Sequence, residues 1–278
     1  MSIKELIVIV FLTSLLLSCS KKEIKTTAIV EKSLEYQVLE AYEEGMRALN
    51  ENDVIYAAKK FNEAEILFPQ SSWAPKSALM ASYAYYKQDY YEDAIAELER
   101  FLKIYPKHKN VSYAYYLLAL CYYEQIVDEK KDLESIQNAK KTFRILIDRF
   151  PNTEYSLDAE FKIDLINDIL ASKEMYLGRY YVERKKWIAA INRFRTVVDK
   201  FDQTIYTQEA LHRLVEIYYI IGLEQEGKKY ANLLGYNYQS SIWYEKSYSI
   251  FNKMYEENKK KNLKKSNIIT RKFKSLFD

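Results

Sequence analysis

The stretch GRYYVERKKWIAAINRFRTVVDKF, residues 178–201, decides the fold. It reads as amphipathic helix, yet it keeps small residues at Gly178, Ala189 and Ala190, large ones at Tyr181 and Phe194, and one polar interruption at Arg184–Lys186. Small residues at fixed helical positions mark where a second helix comes close. The spacing therefore predicts two packed helices, and the next question is whether the rest of the chain repeats the unit.

It does. From Gly178 the intervals run 12 residues to Ala190, four to Phe194, three to Val197 and five to Asp202. The same intervals join Gly45, Ala57, Phe61, Ala64 and Pro69, and again Ser82, Ala94, Leu98, Phe101 and Pro106, with Tyr85 where Tyr181 stands. Ala139, Phe143, Leu146 and Pro151 form the second half of another copy, and Val215, Tyr218, Gly227, Ala231, Leu234 and Gln239 a weaker fifth. The pattern resembles the tetratricopeptide repeat, a helix–turn–helix unit of about 34 residues. On this reading the small residues of each first helix admit the second, whose alanine fits the gap, while the aromatic that follows fills the space between repeats. Pro69, Pro106 and Pro151 end the second helices, because proline lacks the amide proton and disfavours helical geometry in the residue before it. A single unit cannot bury its apolar face, so the expectation is an all-α solenoid of about five repeats over residues 34–250, with a concave side.

Two departures interrupt the register. From Ala119 to Ala139 is 20 residues where the other copies use 12, and the extra segment IVDEKKDLESI (126–136) is strongly charged, which predicts a loop between the helices of repeat three. Pro151 to Gly178 is also longer than Pro69 to Ser82. Its apolar positions Tyr155, Ala159, Ile163, Ile166, Leu170 and Leu177 keep helical period, so one helix of about eight turns is expected to join repeats three and four.

The composition agrees with a helical scaffold. The chain has 278 residues, five Gly and four Pro, and no phosphate-binding glycine string, which argues against a nucleotide-binding enzyme and implies no cofactor. There are only two histidines, His108 and His212, and neither has a second histidine or cysteine at ligand spacing. Carboxylates are scattered over helical surface positions, so no enzyme activity is expected. Tyrosine is abundant, at 27 residues, and suits both interhelical packing and contact surfaces.

The N-terminus begins MSIKELIVIVFLTSLLLSCS, in which Leu6–Leu17 is too short an apolar run to span a bilayer and matches the core of a signal peptide. Leu16–Cys19, LLSC, resembles a bacterial lipobox. That resemblance implies removal of residues 1–18, acylation of Cys19, and a polar tether over 19–33 that anchors the body to a membrane. Ser20 stands where aspartate usually retains such proteins in the inner membrane of Gram-negative bacteria, so the resemblance points to the periplasmic face of the outer membrane. With Cys19 acylated, Cys121 has no partner, and its apolar helical setting predicts a buried small side chain.

The runs YYLLALCYYEQ (115–125), NAKKTFRILIDRFPNTEYSLDAEFKI (138–163), LASKEMYLGRYYVERKKWIAAINRFRTVVDKF (170–201), EALHRLVEIYYIIGL (209–223) and NYQSSIWY (237–244) go further. Together with the charged insertion they resemble the BamD family, the five-repeat lipoproteins of the outer-membrane β-barrel assembly machine. The resemblance covers roughly residues 35–245. It implies a non-enzymatic scaffold whose C-terminal repeats hold a periplasmic domain of BamA, often with accessory lipoproteins, and whose N-terminal repeats receive the aromatic-ended C-terminal signal of unfolded barrel proteins. On that basis Asn192 and Arg193 are candidate BamA contacts. Tyr83, Tyr86 and Tyr90 are candidate signal contacts, with Lys87 or Arg100 as the cation for the peptide carboxylate. The bland reading makes the tyrosines interhelical packing and Arg193 a solvated charge. The family usually has proline where this chain has Asp202 and Gln239, so the last two repeat ends are expected to be less sharp. A different periplasmic repeat lipoprotein, an adaptor of cell-envelope or division complexes, is the alternative.

The last 20 residues, 259–278, carry eight Lys/Arg and one Asp. At +7 in a chain of net +3, this tail leaves the rest near −4. Residues 251–278 are expected to be a basic, flexible end. Export argues against a nucleic-acid partner, leaving anionic headgroups, an acidic partner face, or simple solubilisation.

Overall fold

The computed structural model describes residues 32–126 and 133–252. Within them are eleven helices and no strand. They are α1 (Leu34–Asn50), α2 (Val54–Leu67), α3 (Trp73–Lys87), α4 (Tyr91–Ile104), α5 (Val111–Glu124), α6 (Glu134–Arg149), α7 (Glu154–Glu183), α8 (Trp187–Lys200), α9 (Thr207–Ile220), α10 (Glu224–Asn237) and α11 (Ile242–Phe251). Successive pairs form five repeats, and α11 packs on α9 and α10. The signal segment, Cys19 and the tail beyond Asn252 lie outside the described residues.

Each repeat closes around the contact that the opening stretch encodes. A β-carbon added to Gly178 would lie 2.5 Å from the ring of Phe194, and one added to Gly45 would lie 2.8 Å from that of Phe61. The expected arrangement was alanine in the gap and the aromatic between repeats. The structure instead sets the aromatic directly over the glycine inside its own repeat, because the flat ring uses the space that a bare Cα leaves. Ala57, Ala94, Ala139 and Ala190 are nonetheless all fully buried. In the fifth copy the sizes are exchanged, with Val215 fully buried on the first helix and Ala231 half-buried on the second.

The interruption at Arg184–Lys186 is a tight left-handed turn. Lys185 has φ 57°, and Asn52, Asp89 and Gly222 hold the same place in repeats one, two and five at φ 63°, 62° and 82°. In each case the following amide reaches back over the helix end: Asp53 to Ala48 O, Tyr90 to Tyr85 O, Lys186 to Tyr181 O and Leu223 to Tyr218 O, at 2.8–3.1 Å. That bond satisfies carbonyls which the helix end would leave orphaned.

The second helices all stop on an aromatic: Phe68, Tyr105, Phe150, Phe201 and Tyr238, with φ between −118° and −146°. Phe201 and Tyr238 break the helix as cleanly as the three that precede proline, contrary to the expectation of blurred ends. The turn hydrogen bonding is the same kind as at the proline-bearing ends, where Phe68, Tyr105 and Phe150 O accept from Ser71, His108 and Thr153. The Phe201 carbonyl accepts from the hydroxyls of both Thr204 and Thr207, and the Tyr238 carbonyl from the Ser241 amide.

The charged insertion is not wholly a loop. Residues 127–132 lie outside the described part, but Glu134–Ile136 form the first turn of α6 and Ile136 is fully buried. The long helix joining repeats three and four is α7, 30 residues started by a Thr153–Ser156 capping box, with Ala159 and Ile166 fully buried.

The packing makes Gly178→Ala a sharp probe. Its methyl group cannot be accommodated without moving the Phe194 ring, so a loss of about 1–3 kcal/mol in denaturant unfolding is expected. Pairing it with Phe194→Leu should recover part of that loss. Simple additivity of the two substitutions would show that the close contact does not set the interhelical distance.

Candidate functional site

The first helices of repeats one to four lie side by side, α1 on α3, α3 on α5 and α5 on α7. This layer is the inner face of a tetratricopeptide solenoid. Tyr83 and Tyr86 project from α3 and are half-buried. Tyr83, Tyr86 and Tyr113 of α5 pack against the same buried cluster, and Tyr113 and Tyr116 of α5 pack on Tyr155 of α7, with ring centroids 5.5 and 5.3 Å apart. The Tyr116 hydroxyl donates to Asp158 Oδ2 at 2.7 Å, which fixes the panel to the start of α7.

Burial raises three of these phenols above their ordinary range. It pushes Tyr113 up to about 12, and it raises Tyr86 and, with the bond to Asp158, Tyr116. The panel therefore offers neutral, flat aromatic faces with hydroxyl edges, suited to an extended chain with aromatic side chains.

The other nominated residues separate. Tyr90 caps the N-terminus of α4 in the left-handed turn and is 44% exposed. Lys87, the last residue of α3, is exposed directly after Tyr86. Arg100 is not available to a ligand. It holds Glu65 with two hydrogen bonds of 2.9 and 2.6 Å and also binds Glu97, so it ties the second helices α2 and α4 together away from the panel. Glu65 is nearly buried and also accepts from the Tyr105 hydroxyl, which makes the set a structural lock. A cation that the sequence reading missed is Lys162 on α7, 4.9 Å over the ring of Tyr123. Its signal was the four-residue step from Asp158, which places it on the α5-facing side of the helix.

In the fourth repeat, Asn192 is exposed on α8. Arg193, its neighbour, turns toward α7 and pairs with Glu174 at 3.1 Å while staying 40% exposed. Neither the free-cation nor the purely solvated picture describes it fully: one edge of the guanidinium is engaged and the rest faces out.

The sequence also concealed a serine–histidine–carboxylate set. His212 of α9 has Nδ1 2.8 Å from Ser247 Oγ of α11 and Nε2 3.3 Å from Glu216. Both His212 and Ser247 are buried, and the Trp243 ring lies 5.2 Å from the imidazole. A nucleophile needs access to a substrate, and Ser247 at 0% exposure has none. The set instead latches α11 onto α9. His108 is likewise structural, edge-on to Phe101 at 5.8 Å. Cys121 is a free, buried thiol that burial pushes up to about 12, which makes it inert. Among the described residues no cluster of His, Cys, Asp and Glu could hold a metal, and no helix is long and apolar enough to cross a membrane.

A stack of helix pairs with an aromatic inner face defines a tetratricopeptide-type repeat protein. A model of the family described as "YfiO: Outer membrane lipoprotein" matches residues 35–233. The chain is 41% identical to an outer membrane protein assembly factor BamD of Caulobacter vibrioides over 84% of its own length and 76% of that protein. It is also 41% identical to the BamD of Rickettsia prowazekii, over 75% of its own length and 83% of that protein. The chain belongs to this BamD family of outer membrane protein assembly factors. A solved structure of kinesin-light-chain-like repeats covers 76% of the chain and all of that protein at 14% identity and TM-score 0.38, too distant a likeness to inform the site.

The latch predicts an acid response. Burial alone would raise the Glu216 carboxyl, but the bonds from His212 and Arg213 outweigh it and hold the group at about 2. A depressed carboxylate contributes stability that is complete above its unfolded value of about 4.3 and is lost as pH falls toward 2. Tryptophan fluorescence should therefore report loosening of Trp243 over that window. Glu216→Gln should remove that step, and an unchanged acid transition in the variant would show that another carboxylate controls it.

Proposed function

We propose that the chain is a non-enzymatic scaffold of outer-membrane protein assembly, acylated at Cys19 and held at the periplasmic face of the outer membrane. Its C-terminal repeats bind the periplasmic part of BamA, with Asn192 and Arg193 in the contact, and accessory assembly lipoproteins join the same complex. Its N-terminal repeats receive the aromatic-ended C-terminal signal of unfolded barrel proteins. Family membership supports the assembly role. The single observation that carries the substrate reading is the panel of Tyr83, Tyr86, Tyr113, Tyr116 and Tyr155 across three successive first helices, flanked by Lys87 and Lys162.

An aromatic C-terminal residue would lie against the tyrosine faces while its carboxylate meets a lysine, and intervening backbone would run along the inner layer. The helix-to-helix spacing of about 8–10 Å lets an extended peptide of a few residues cross two repeats. For BamA, the outward edge of Arg193 offers donors that a partner carboxylate can take while Glu174 orients the side chain.

The test is capture of residues 20–278 by the periplasmic domains of BamA from the same organism, with Arg193→Glu and Arg193→Ala in parallel. Binding weakened about tenfold or more by charge reversal, and less by alanine, is the expected result. Failure of the folded wild-type protein to bind would overturn the BamA role and favour a general envelope adaptor. Full retention by both variants would remove Arg193 from the contact.

A further inference from the structure

Helix α7 carries an apolar stripe with no partner among the described residues. Leu157, Phe161 and Leu165, spaced i, i+4 and i+8, are 56%, 71% and 50% exposed. Five turns of helix are 18 residues, so Leu157 and Met175 share one angular position, and so do Phe161 and Arg179. In the C-terminal half that face is covered by α9: Met175 is fully buried in the cluster containing Ala210 and Leu214, and Arg179 is bound to Glu209 at 3.0 and 2.7 Å. The same face continues into the N-terminal half, where α7 outruns the neighbouring repeat, and there its large apolar side chains are bare. Glu154, Asp164 and Asp168 lie along the stripe. Asp164 and Asp168 also border a cleft of 200 Å³ against Lys200–Thr204, with Lys200 in its lining and Lys140 bound to Asn167 beside it.

We propose that residues 269–278 of the same chain dock on this stripe. The described structure ends at Asn252 and 26 residues follow it. Ile269, Phe273 and Leu276 repeat the i, i+4, i+7 spacing that one helix presents to another, and Arg271, Lys272 and Lys274 lie between them. Charge complements charge: residues 269–278 carry +2, residues 259–268 that lead to them carry +5, and the stripe is flanked by carboxylates. The linker is long: the 16 residues 253–268 can span about 53 Å at about 3.3 Å each, more than the length of α7 at about 45 Å. The docked segment takes, on the first half of α7, the place that α9 takes on the second. This inference does not depend on the assembly role or on the tyrosine panel.

The test is photo-crosslinking in the full chain purified in detergent, with p-benzoylphenylalanine in place of Phe161 and, as control, of Tyr236, which is 85% exposed on α10. Both sites are solvent-facing, so the fold is retained. The expected product is a monomeric band whose crosslinked peptides map to residues 269–278. Its yield should fall severalfold between about 0.05 and 1 M salt, because the Debye length shrinks from more than 10 Å to about 3 Å. It should also fall with Asp164→Lys and Asp168→Lys together. No link at position 161, links only between two copies, links to another segment, or a yield no greater than at position 236 would each overturn the proposal.

Discussion

The ring of Phe194 over the bare Cα of Gly178 is the contact on which the rest depends. It brings the two helices of a repeat close enough that the connecting turn must be very short, which is why the chain takes a left-handed residue there even when that residue is Lys185. Fixing the hairpin this way fixes the pitch from one repeat to the next. The first helices then form a continuous layer, and their outward side chains become a surface rather than a set of separate patches. Phe61 and Gly45 do the same in repeat one, while Ser82 and Leu98 hold the corresponding positions in repeat two.

Given that layer, the chemistry of its surface follows from which residues the packing leaves partly uncovered. The tyrosines of α3, α5 and α7 are large enough to contribute to the core and still show a face, so the side chains that pack the layer are also the ones proposed to meet a ligand. Charge is handled differently in the two layers. The Glu65–Arg100–Glu97 lock binds the outer helices with groups that satisfy one another, whereas Lys87 and Lys162 stay available near the aromatic panel. The extended α7 adds a face that no repeat covers, a direct result of making this helix longer than the repeat needs.

Much of this was legible in the sequence. The intervals from Gly45, Ser82 and Gly178, the proline stops and the period through Ile166 located the helix pairs and the long helix, because small-to-large spacing is a local property. What escaped was long-range. His212 and Ser247 are 35 residues apart and meet only because α11 folds back on α9, and Arg100 is occupied by a glutamate one repeat earlier. No periodic signal announces either pairing. The direction of the Phe194 ring was also hidden, since the spacing says that an aromatic and a glycine share a region but not which gap the ring enters. Asp202 and Gln239 suggested blurred repeat ends, but the hydrogen bonds from Thr204, Thr207 and Ser241 close these turns as their counterparts close the proline-bearing ones.

The central claim is that the inner tyrosine panel reads an aromatic residue together with its terminal carboxylate. The most direct measurement is a fluorescence-anisotropy titration of the protein with a labelled peptide ending in phenylalanine, as free acid and as amide, repeated with Lys162→Gln and Tyr113→Ala. The account predicts saturable binding of the acid, weakened several-fold by amidation and by each substitution. Equal binding of acid and amide, or binding that Tyr113→Ala leaves unchanged, would contradict it.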